Sequence, residues 1–226
     1  MTTPAVSETS PPRLEVIPGV WLDARLAVFL AASRVLIVAD LHWGYAHSHR
    51  VRGNLLPAWG DAEIARRLHG LLADYAPAEM IWLGDSLHTL DGREAAAAFL
   101  RTTSTSITIV SGNHDAKWNL VEKRPVLLRD GYYLHHGDQP REIPPGAIEM
   151  IGHHHPAFTW RDGAGTRLKL PALVVSARRI VLPAFSPWAA GAPWPSGAPE
   201  DRVYAIGAKR IFTVSPALPQ KRPFTK

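Results

Sequence analysis

The sequence predicts an α/β protein with its functional residues at the ends of strands. Short runs of β-branched and aliphatic residues, typical of strands, recur along the chain, and two segments have the composition of helices. Several of the apolar runs stop at a glycine, an aspartate or a histidine. Ligand sites of α/β proteins lie at such strand ends, so this pattern indicates where function is to be sought.

The composition suits one large domain or at most two small ones. The chain has 226 residues, of which 46% are hydrophobic and 20% charged, as in globular proteins. It has no cysteine, so any metal must be held by nitrogen and oxygen ligands. The net charge of +5 favours polyanionic partners but is weak evidence for nucleic acid.

Three segments are expected along the chain. Residues 1–12 are typical of a disordered polar lead-in and not of a signal peptide, 13–215 of a single domain, and 216–226 of a loose tail. No stretch approaches the roughly 18 apolar residues of a membrane span. We therefore expect a cytoplasmic protein that does not associate with a membrane.

Apolar runs typical of strands alternate with two helical segments. Arg34–Ala39 contains a continuous apolar run, as expected of a strand buried on both faces. Asp61 could cap a helix that runs through Tyr75, and Asp91 a helix over Arg93–Arg101. Further strands are expected over residues 14–17, 20–22, 26–30, 79–83, 107–110 and 147–151, from 132 into His136–Gly137, and in several short pieces between 158 and 214.

Residues with ligand chemistry follow five of these strands. Asp40 and His42 are two residues apart, which in an extended chain places both side chains on one face, as two ligands of one metal require. By the same spacing His153 and His155 share a face. Each cluster alone could be a solvated strand exit. The five are Asp40-x-His42, Gly84-Asp85, Gly112-Asn113-His114-Asp115, His136-Gly137 and Gly152-His153-x-His155.

The recurrence of these clusters favours a metal site over chance. Asn113 offers an amide oxygen, His114 can transfer a proton near neutral pH, and Asp115 can fix its tautomer. One sheet edge could gather all of them beside glycines that permit sharp turns. The ligand set exceeds the needs of one ion, so it fits two divalent cations that Asp85 could bridge. Mixed nitrogen and oxygen ligands favour manganese, with iron, zinc and cobalt as alternatives.

The order D-x-H, G-D, G-N-H-D, H-G and G-H-x-H resembles the calcineurin-like metallophosphoesterase superfamily. The resemblance implies a four-layer αββα sandwich, with two packed mixed sheets flanked by helices and the metals at the strand ends. It implies a hydrolase in which a metal-bound hydroxide attacks phosphorus without a covalent enzyme intermediate. The implied ligands are Asp40, His42, Asp85 and His155 for one ion, and Asp85, Asn113, His136 and His153 for the other.

The same resemblance implies roles for the residues beside the ligands. His114 matches the proton donor to the leaving group, and Asp115 matches its orienting partner. His135 is an alternative to His136, but His136 directly precedes the glycine, as the motif requires.

A narrower resemblance covers segments outside the ligand motifs. The N-terminal hairpin, Asp40–Gly44, Leu83–His88 and Pro183–Pro187 are similar to the bacterial ligase-associated DNA damage response endonucleases of the PdeM type. This resemblance implies a nuclease that acts in DNA repair beside a DNA ligase and a helicase.

Several alternatives stay open from the sequence. A phosphatase or a small-nucleotide phosphodiesterase could use the same centre, and a non-catalytic interaction module is less favoured because the ligand set is complete. Residues 45–60 are expected to be an irregular loop, either a basic rim carrying Arg50 and Arg52 or an ordinary exposed loop. His88 could face the substrate or simply pack.

Overall fold

The computed structural model describes residues 11–119, 121–162, 164–189, 191–194 and 200–214. Residues 1–10 of the predicted lead-in and all of the predicted tail, 216–226, lie outside these ranges. The described residues form fifteen strands, three α-helices and two short 3-10 helices. None of these α-helices is both long enough and apolar enough to cross a membrane.

The first half of the described chain builds a mixed six-stranded sheet. Its elements are β1 (Arg13–Ile17), β2 (Val20–Asp23), β3 (Ala27–Leu30), β4 (Val35–Ala39), α1 (Tyr45–Val51), α2 (Gly60–Tyr75), β5 (Glu79–Leu83), a 3-10 helix (Leu90–Gly92), α3 (Arg93–Thr102) and β6 (Ser106–Val110). The strands lie in sequence order. β1 to β4 form an antiparallel meander, and β4, β5 and β6 are parallel. Parallel neighbours need crossover connections, which contain α2 and α3.

The second half builds a mixed nine-stranded sheet. Its elements are a 3-10 helix (Asn113–Lys117), β7 (Leu127–Arg129), β8 (Tyr132–Leu134), β9 (Ile148–Ile151), β10 (Pro156–Arg161), β11 (Arg167–Val175), β12 (Arg179–Val181), β13 (Ala192–Pro193), β14 (Arg202–Gly207) and β15 (Arg210–Val214). The main order is β13-β10-β11-β12-β9-β8-β7, and β14 joins β11 to β15. β8, β9 and β12 are mutually parallel.

The two sheets and the helices share one hydrophobic core. Every residue of β4 is buried, because α2 supplies side chains such as Leu68 and the second sheet supplies side chains such as Leu173 to the same core cluster. Burial of one aliphatic side chain contributes about 1.5–3 kcal/mol, so this shared core stabilises both sheets. The predicted pair of packed mixed sheets is confirmed. All three α-helices of the described ranges precede β6.

Three local predictions are wrong. The expected irregular loop over 45–60 is helical in its first half, where Gly44 has φ +82° and leads directly into α1. Asp61 does not cap α2; its carboxylate accepts a hydrogen bond from the backbone N–H of Gly44 at 3.0 Å. Asp91 does not cap α3, because its carboxylate accepts the hydroxyl hydrogen bond of Thr89 at 3.1 Å.

A buried carboxylate ties the antiparallel meander to the end of α2. Asp23 is fully buried and accepts hydrogen bonds from the Arg25 guanidinium at 2.7 and 2.8 Å and from the Tyr75 hydroxyl at 3.0 Å. Asp74, whose side chain is 39% exposed, binds the same Arg25 guanidinium at 2.8 Å. The two carboxylates therefore share a partner but differ in burial.

We expect Asp23→Ala to lower the free energy of unfolding by about 3–5 kcal/mol, because it leaves Arg25 and Tyr75 without their buried partner. Asp74→Ala is the matched control and should cost about 1 kcal/mol or less, since water already screens that pair. Urea unfolding of the metal-free protein measures both values. Equal losses in the two variants would contradict this account of the meander.

Candidate metal centre

Strand ends from both sheets meet at one place. The end of β4 is connected there to the segment that follows β12 by a parallel bridge between Ala39 and Ala184. The backbone N–H of Phe185 donates to the carbonyl of Ala39 at 2.8 Å, and that of Ser186 to the carbonyl of Asp40 at 3.1 Å. These bonds hold the carboxyl ends of the two sets of parallel strands against each other. The five clusters expected at strand ends therefore face one crevice.

The predicted ligands do not lie in extended backbone. Five of them have φ between 44° and 63°, in the left-handed region that residues with a Cβ rarely adopt. The spacing argument that places Asp40 and His42, or His153 and His155, on one face of an extended chain is therefore wrong in its geometry. Left-handed turns bring the side chains to the crevice instead. The five residues are Asp40, His42, Asp85, His153 and His155.

A first group of ligand atoms gathers around Asp40, His42 and His155. One ligand atom from each lies within 4.8 Å of the others. His42 Nε2 is 3.4 Å from His155 Nε2, which is 3.3 Å from Asp40 Oδ1. The backbone N–H of His153 donates to the Asp40 carboxylate at 3.0 Å and fixes its orientation. The spacing of Asp40 and His42 along the chain thus did indicate a common site.

A second group gathers around Asp85, His136 and His153. Their ligand atoms also lie within 4.8 Å of one another. His136 Nε2 is 3.4 Å from Asp85 Oδ1, 3.1 Å from His153 Nδ1 and 3.1 Å from Asn113 Oδ1. His153 and His155 therefore belong to different groups, although the sequence places them side by side in one histidine tract.

Asp85 lies between the two groups. Its Oδ1 faces His136, and its Oδ2 is 4.0 Å from His42 Nε2. The backbone N–H of His114 donates to Oδ1 at 3.0 Å and holds the carboxylate in this orientation. One carboxylate with an oxygen toward each group has the arrangement of a bridging ligand.

Charge and burial set the protonation of these groups. Burial lowers the pKa of His42 to about 3, so its imidazole is neutral at pH 7. Burial raises the pKa of Asp85, but the hydrogen bond with His136 and neighbouring imidazoles outweigh it and bring the pKa to about 2. Burial also lowers the pKa of His136, and the adjacent Asp85 and Asp40 carboxylates reverse this and raise it. Neutral imidazoles and ionised carboxylates are the forms that bind divalent cations.

His135 is directed away from the centre. Its Nε2 lies 2.9 Å from Glu149 Oε1, and Glu149 also binds the guanidinium of Arg179. Burial lowers the pKa of His135, and the Glu149 carboxylate only partly opposes this. Of the two adjacent histidines, the structure brings His136 to the crevice and places His135 in a structural contact of the second sheet.

His114 and Asp115 do not contact each other as expected. His114 Nδ1 lies 2.9 Å from the carbonyl oxygen of His88 and donates to it, and its Nε2 is 3.9 Å from Asp85 Oδ2. The Asp115 carboxylate is fully buried and accepts three backbone N–H bonds, from Ser86, Leu87 and Gly112, at 3.0–3.1 Å. Burial raises the pKa of Asp115 despite these bonds. The prediction that Asp115 orients His114 is wrong, and Asp115 instead joins the loops after β5 and β6.

The candidate substrate residues lie on one side of the crevice. His88 is half-buried beside His114, with the two rings stacked at a centroid distance of 5.2 Å. Burial lowers the pKa of His88 to about 4. Arg50 and Arg52 are exposed, and Arg50 donates to the carbonyl of Leu56 at 2.9 Å. Arg52 lies close enough to His88 for its charge to contribute to the lowered pKa, whereas the Arg50 guanidinium is directed to residue 56.

Sequence reasoning missed two ring side chains that lie next to His88. Tyr45 and His49 occupy one face of α1 and stack at a centroid distance of 4.4 Å. Their separation of four residues was a signal for a helix, but breakers at Gly53, Pro57 and Gly60 made the segment look irregular. The same error hid the contact that Asp61 makes with the start of α1.

A family comparison matches this architecture. The model of the calcineurin-like phosphoesterase family matches residues 33–207, which include every predicted ligand. The chain belongs to that family. It is therefore a hydrolase of phosphoester bonds, and family membership implies divalent metal ions.

Solved structures give further comparisons. The crystal structure of the Pseudomonas putida nuclease MPE is 26% identical, with a TM-score of 0.71, and the alignment covers 91% of this chain and 100% of that one. The E. coli phosphoesterase Yfce is 15% identical with a TM-score of 0.45, and the alignment covers 80% and 98% of the two chains. No curated protein sequence matches the chain.

The residues present fit divalent ions. Two ligand atoms bound at about 2.0–2.1 Å to one tetrahedral ion lie about 3.3–3.4 Å apart. The closest ligand atoms within each group are separated by 3.1–3.4 Å, which agrees with this spacing. The buried carboxyl groups of Asp40 and Asp85 lie beside several imidazoles, and this set of nitrogen and oxygen donors suits divalent transition-metal ions.

Two motif glycines are required by close approach to the proposed ligands. A Cβ on Gly112 would lie 2.2 Å from Asp85 Oδ1 and 2.3 Å from the Asp85 backbone nitrogen. A Cβ on Gly152 would lie 2.7 Å from Asp40 Oδ2. In both places the glycine makes room for a carboxylate, so it belongs to the site as much as the ligand does.

We expect Gly112→Ala to weaken manganese binding by about 10–100-fold, because the added methyl group must displace Asp85. Gly70→Ala is the matched control: Gly70 lies within α2, and its Cβ would make an ordinary 3.4 Å contact with Arg25 Nη1. This control should raise stability by about 0.5–1 kcal/mol and leave metal affinity unchanged. Isothermal titration of the metal-free proteins measures the affinities, and unchanged affinity in Gly112→Ala would refute the proposed role of Asp85.

Proposed function

We propose that the protein is a dinuclear-metal phosphodiesterase that acts on DNA. The observation that carries the proposal is the position of Asp85, with one carboxylate oxygen toward each of two ligand groups. Asp40, His42, Asp85 and His155 would hold one ion, and Asp85, Asn113, His136 and His153 the other. Manganese is the proposed metal, with iron, zinc and cobalt as alternatives.

The bound ions would supply an activated water as nucleophile and would neutralise charge on the phosphoryl group. The chain's own residues do the rest. The Asp40 and Asp85 carboxylates are fixed by backbone N–H groups, so they need no reorganisation when substrate binds. His114 presents Nε2 to the crevice beside Asp85 and would protonate the departing oxygen.

Three features support DNA as the substrate. The aligned Pseudomonas putida protein is titled a nuclease. Arg52 places positive charge near His88, and the exposed Arg50 lies two residues before it, which suits a polyanion. The PdeM-type resemblance further supports a role in DNA repair in the cytoplasm, beside a DNA ligase and a helicase.

A cavity beside the first ligand group has room for part of a nucleotide. Its volume is about 390 Å³, and His155 forms part of its wall. Pro156, Pro171 and Pro187 give it an apolar lining, and Lys169 adds a positive charge. An apolar lining with a few polar groups is typical of small-ligand sites, so the cavity could accept a sugar or base next to the bound phosphate.

The proposal predicts hydrolysis of bis(4-nitrophenyl) phosphate in preference to 4-nitrophenyl phosphate, with added manganese and loss of activity on chelation. Cleavage of single- and double-stranded DNA then tests the substrate. A preference for the monoester would instead assign a phosphatase with the same residues in the same roles. Full activity in protein from which a chelator has removed the metal, as checked by metal analysis, would refute the metal-dependent mechanism.

His114→Ala should lower the rate of DNA cleavage by about 10²–10⁴-fold while both ions remain bound, because it removes a proton donor and no ligand. His154→Ala is the matched control in the histidine tract, since His154 is exposed and belongs to none of the three clusters of possible ligands in the described residues, one of which joins His114 to His42 and His88. Steady-state kinetics and metal analysis are measured together. Loss of metal in His114→Ala would contradict the role proposed for it.

A further inference from the structure

We propose that Tyr45 is a positioning residue that holds His114 in its productive orientation by packing against His88. The proposal rests on the proton-donor role of His114 proposed above. It concerns a cluster of four rings between the crevice and α1. In this cluster His88 contacts the rings of His114, Tyr45 and His49.

His88 contacts the His114 imidazole in two ways, through its backbone carbonyl and through its ring. The carbonyl oxygen of His88 accepts the hydrogen bond of His114 Nδ1 at 2.9 Å, which selects the Nδ1–H tautomer of the neutral ring. The two rings stack at a centroid distance of 5.2 Å with an interplanar angle of 23°. Nε2 is thereby left facing Asp85 and the crevice.

Tyr45 packs against the His88 ring from α1. The Tyr45 and His88 rings have a centroid distance of 4.5 Å. His49 stacks on Tyr45 at 4.4 Å with an interplanar angle of 18°, and it also contacts His88 at 5.7 Å, so the three rings pack against one another. Aromatic pairs at such distances contribute beyond their buried area, and Tyr45 makes the shorter of the two ring contacts from α1 to His88.

Backbone hydrogen bonds also connect the segments that contain Tyr45 and His88. The loops after β4 and β5 pair beyond the ends of the strands through a parallel bridge between Trp43 and Leu87. The N–H of His88 donates to the carbonyl of Trp43 at 2.9 Å, and that of Tyr45 to the carbonyl of His42 at 3.1 Å. Tyr45 and His88 are therefore fixed to the same extension of the sheet, and α1 begins where this extension ends.

The orientation of His114 affects how readily the leaving group of a phosphodiester departs. During hydrolysis a bond forms between a water oxygen and phosphorus, and the bond from phosphorus to the leaving oxygen breaks. The imidazolium form of His114 carries a proton on Nε2 as well as on Nδ1. The Nε2 proton passes to the leaving oxygen, which leaves the neutral Nδ1–H tautomer, and Nε2 later regains a proton released by the water. A leaving group of low acidity depends on this proton, whereas 4-nitrophenolate departs without it. Removal of the Tyr45 ring should therefore impair poor leaving groups selectively.

The test uses methyl aryl phosphate diesters whose leaving groups range from 4-nitrophenol to the less acidic phenol. Tyr45→Ala should reduce kcat for the phenyl diester by about tenfold, a part of the 10²–10⁴-fold that a positioned acid supplies. It should change kcat for the 4-nitrophenyl diester by less than about twofold. Tyr45→Phe keeps the ring and should restore the wild-type dependence on the leaving group.

A uniform loss across the series would overturn the proposal, since it would show that Tyr45 supports the ligands or the fold and not His114. A selective loss that Tyr45→Phe fails to restore would also overturn it. If the wild type hydrolysed none of these diesters, the proposed function would fail, which is a different result from either of these.

A second measurement requires neither metal nor turnover. Long-range ¹H–¹⁵N spectra of the metal-free protein at alkaline pH report which nitrogen of each neutral histidine carries the proton. His114 should be the Nδ1–H tautomer in the wild type and in Tyr45→Phe, and a mixture of tautomers in Tyr45→Ala. An unchanged Nδ1–H signal in Tyr45→Ala would overturn the proposal, even in a protein that hydrolyses no diester.

Discussion

The site depends on how closely the two sheets approach each other where β4 and β9 end. Gly152 follows β9, and a Cβ on it would lie 2.7 Å from Asp40 Oδ2 and 2.9 Å from the Ala39 Cβ. Only small residues fit on both sides of this contact. The same approach lets the N–H of His153 bind the Asp40 carboxylate and brings His155 beside it. A wider separation would leave two half-sites that could not share an ion.

The ligands themselves sit in a backbone conformation that costs free energy. Of the nine non-glycine residues with positive φ in the described ranges, five are proposed ligands. Each such residue costs on the order of 1–3 kcal/mol, so the shared core of the two sheets must offset this strain. Left-handed turns at strand ends point successive side chains inward more sharply than an extended chain could. The strain is therefore the means by which a short loop such as 153–155 supplies one ligand to each group.

Hydrogen bonds between the loops orient the side chains that the strand ends bring together. Asp115 accepts N–H groups from the loops after β5 and β6, and Asp85 accepts the N–H of His114. The backbone thereby orients both carboxylates, and Asp85 has the His136 side chain as a further partner. This arrangement separates two tasks, because Asp115 holds the loops together while Asp85 remains available to cations.

The sequence was sufficient for the strands that carry the site and for the residues that gather there. Apolar runs ending at glycine or aspartate located β4, β5, β6 and β9, since periodicity and length are local properties. It was not sufficient for the local geometry. Positive φ at Asp40 or His155 follows from contacts between sheets, which no spacing rule contains. The hydrogen bonds of Asp115 with Ser86 and Leu87 escaped for the same reason, because these partners are distant in the chain. Helix α1 escaped because glycine and proline breakers hid its four-residue spacing.

Electron paramagnetic resonance of the protein titrated with Mn²⁺ tests the central claim most directly, namely that Asp85 joins two metal sites. We predict two ions per chain and the multiline signal of an exchange-coupled pair. Asp85→Asn should abolish the coupled signal, since the amide has one oxygen and cannot bridge in the same way. A single uncoupled ion per chain in the wild type, or a coupled signal that survives in Asp85→Asn, would contradict the account.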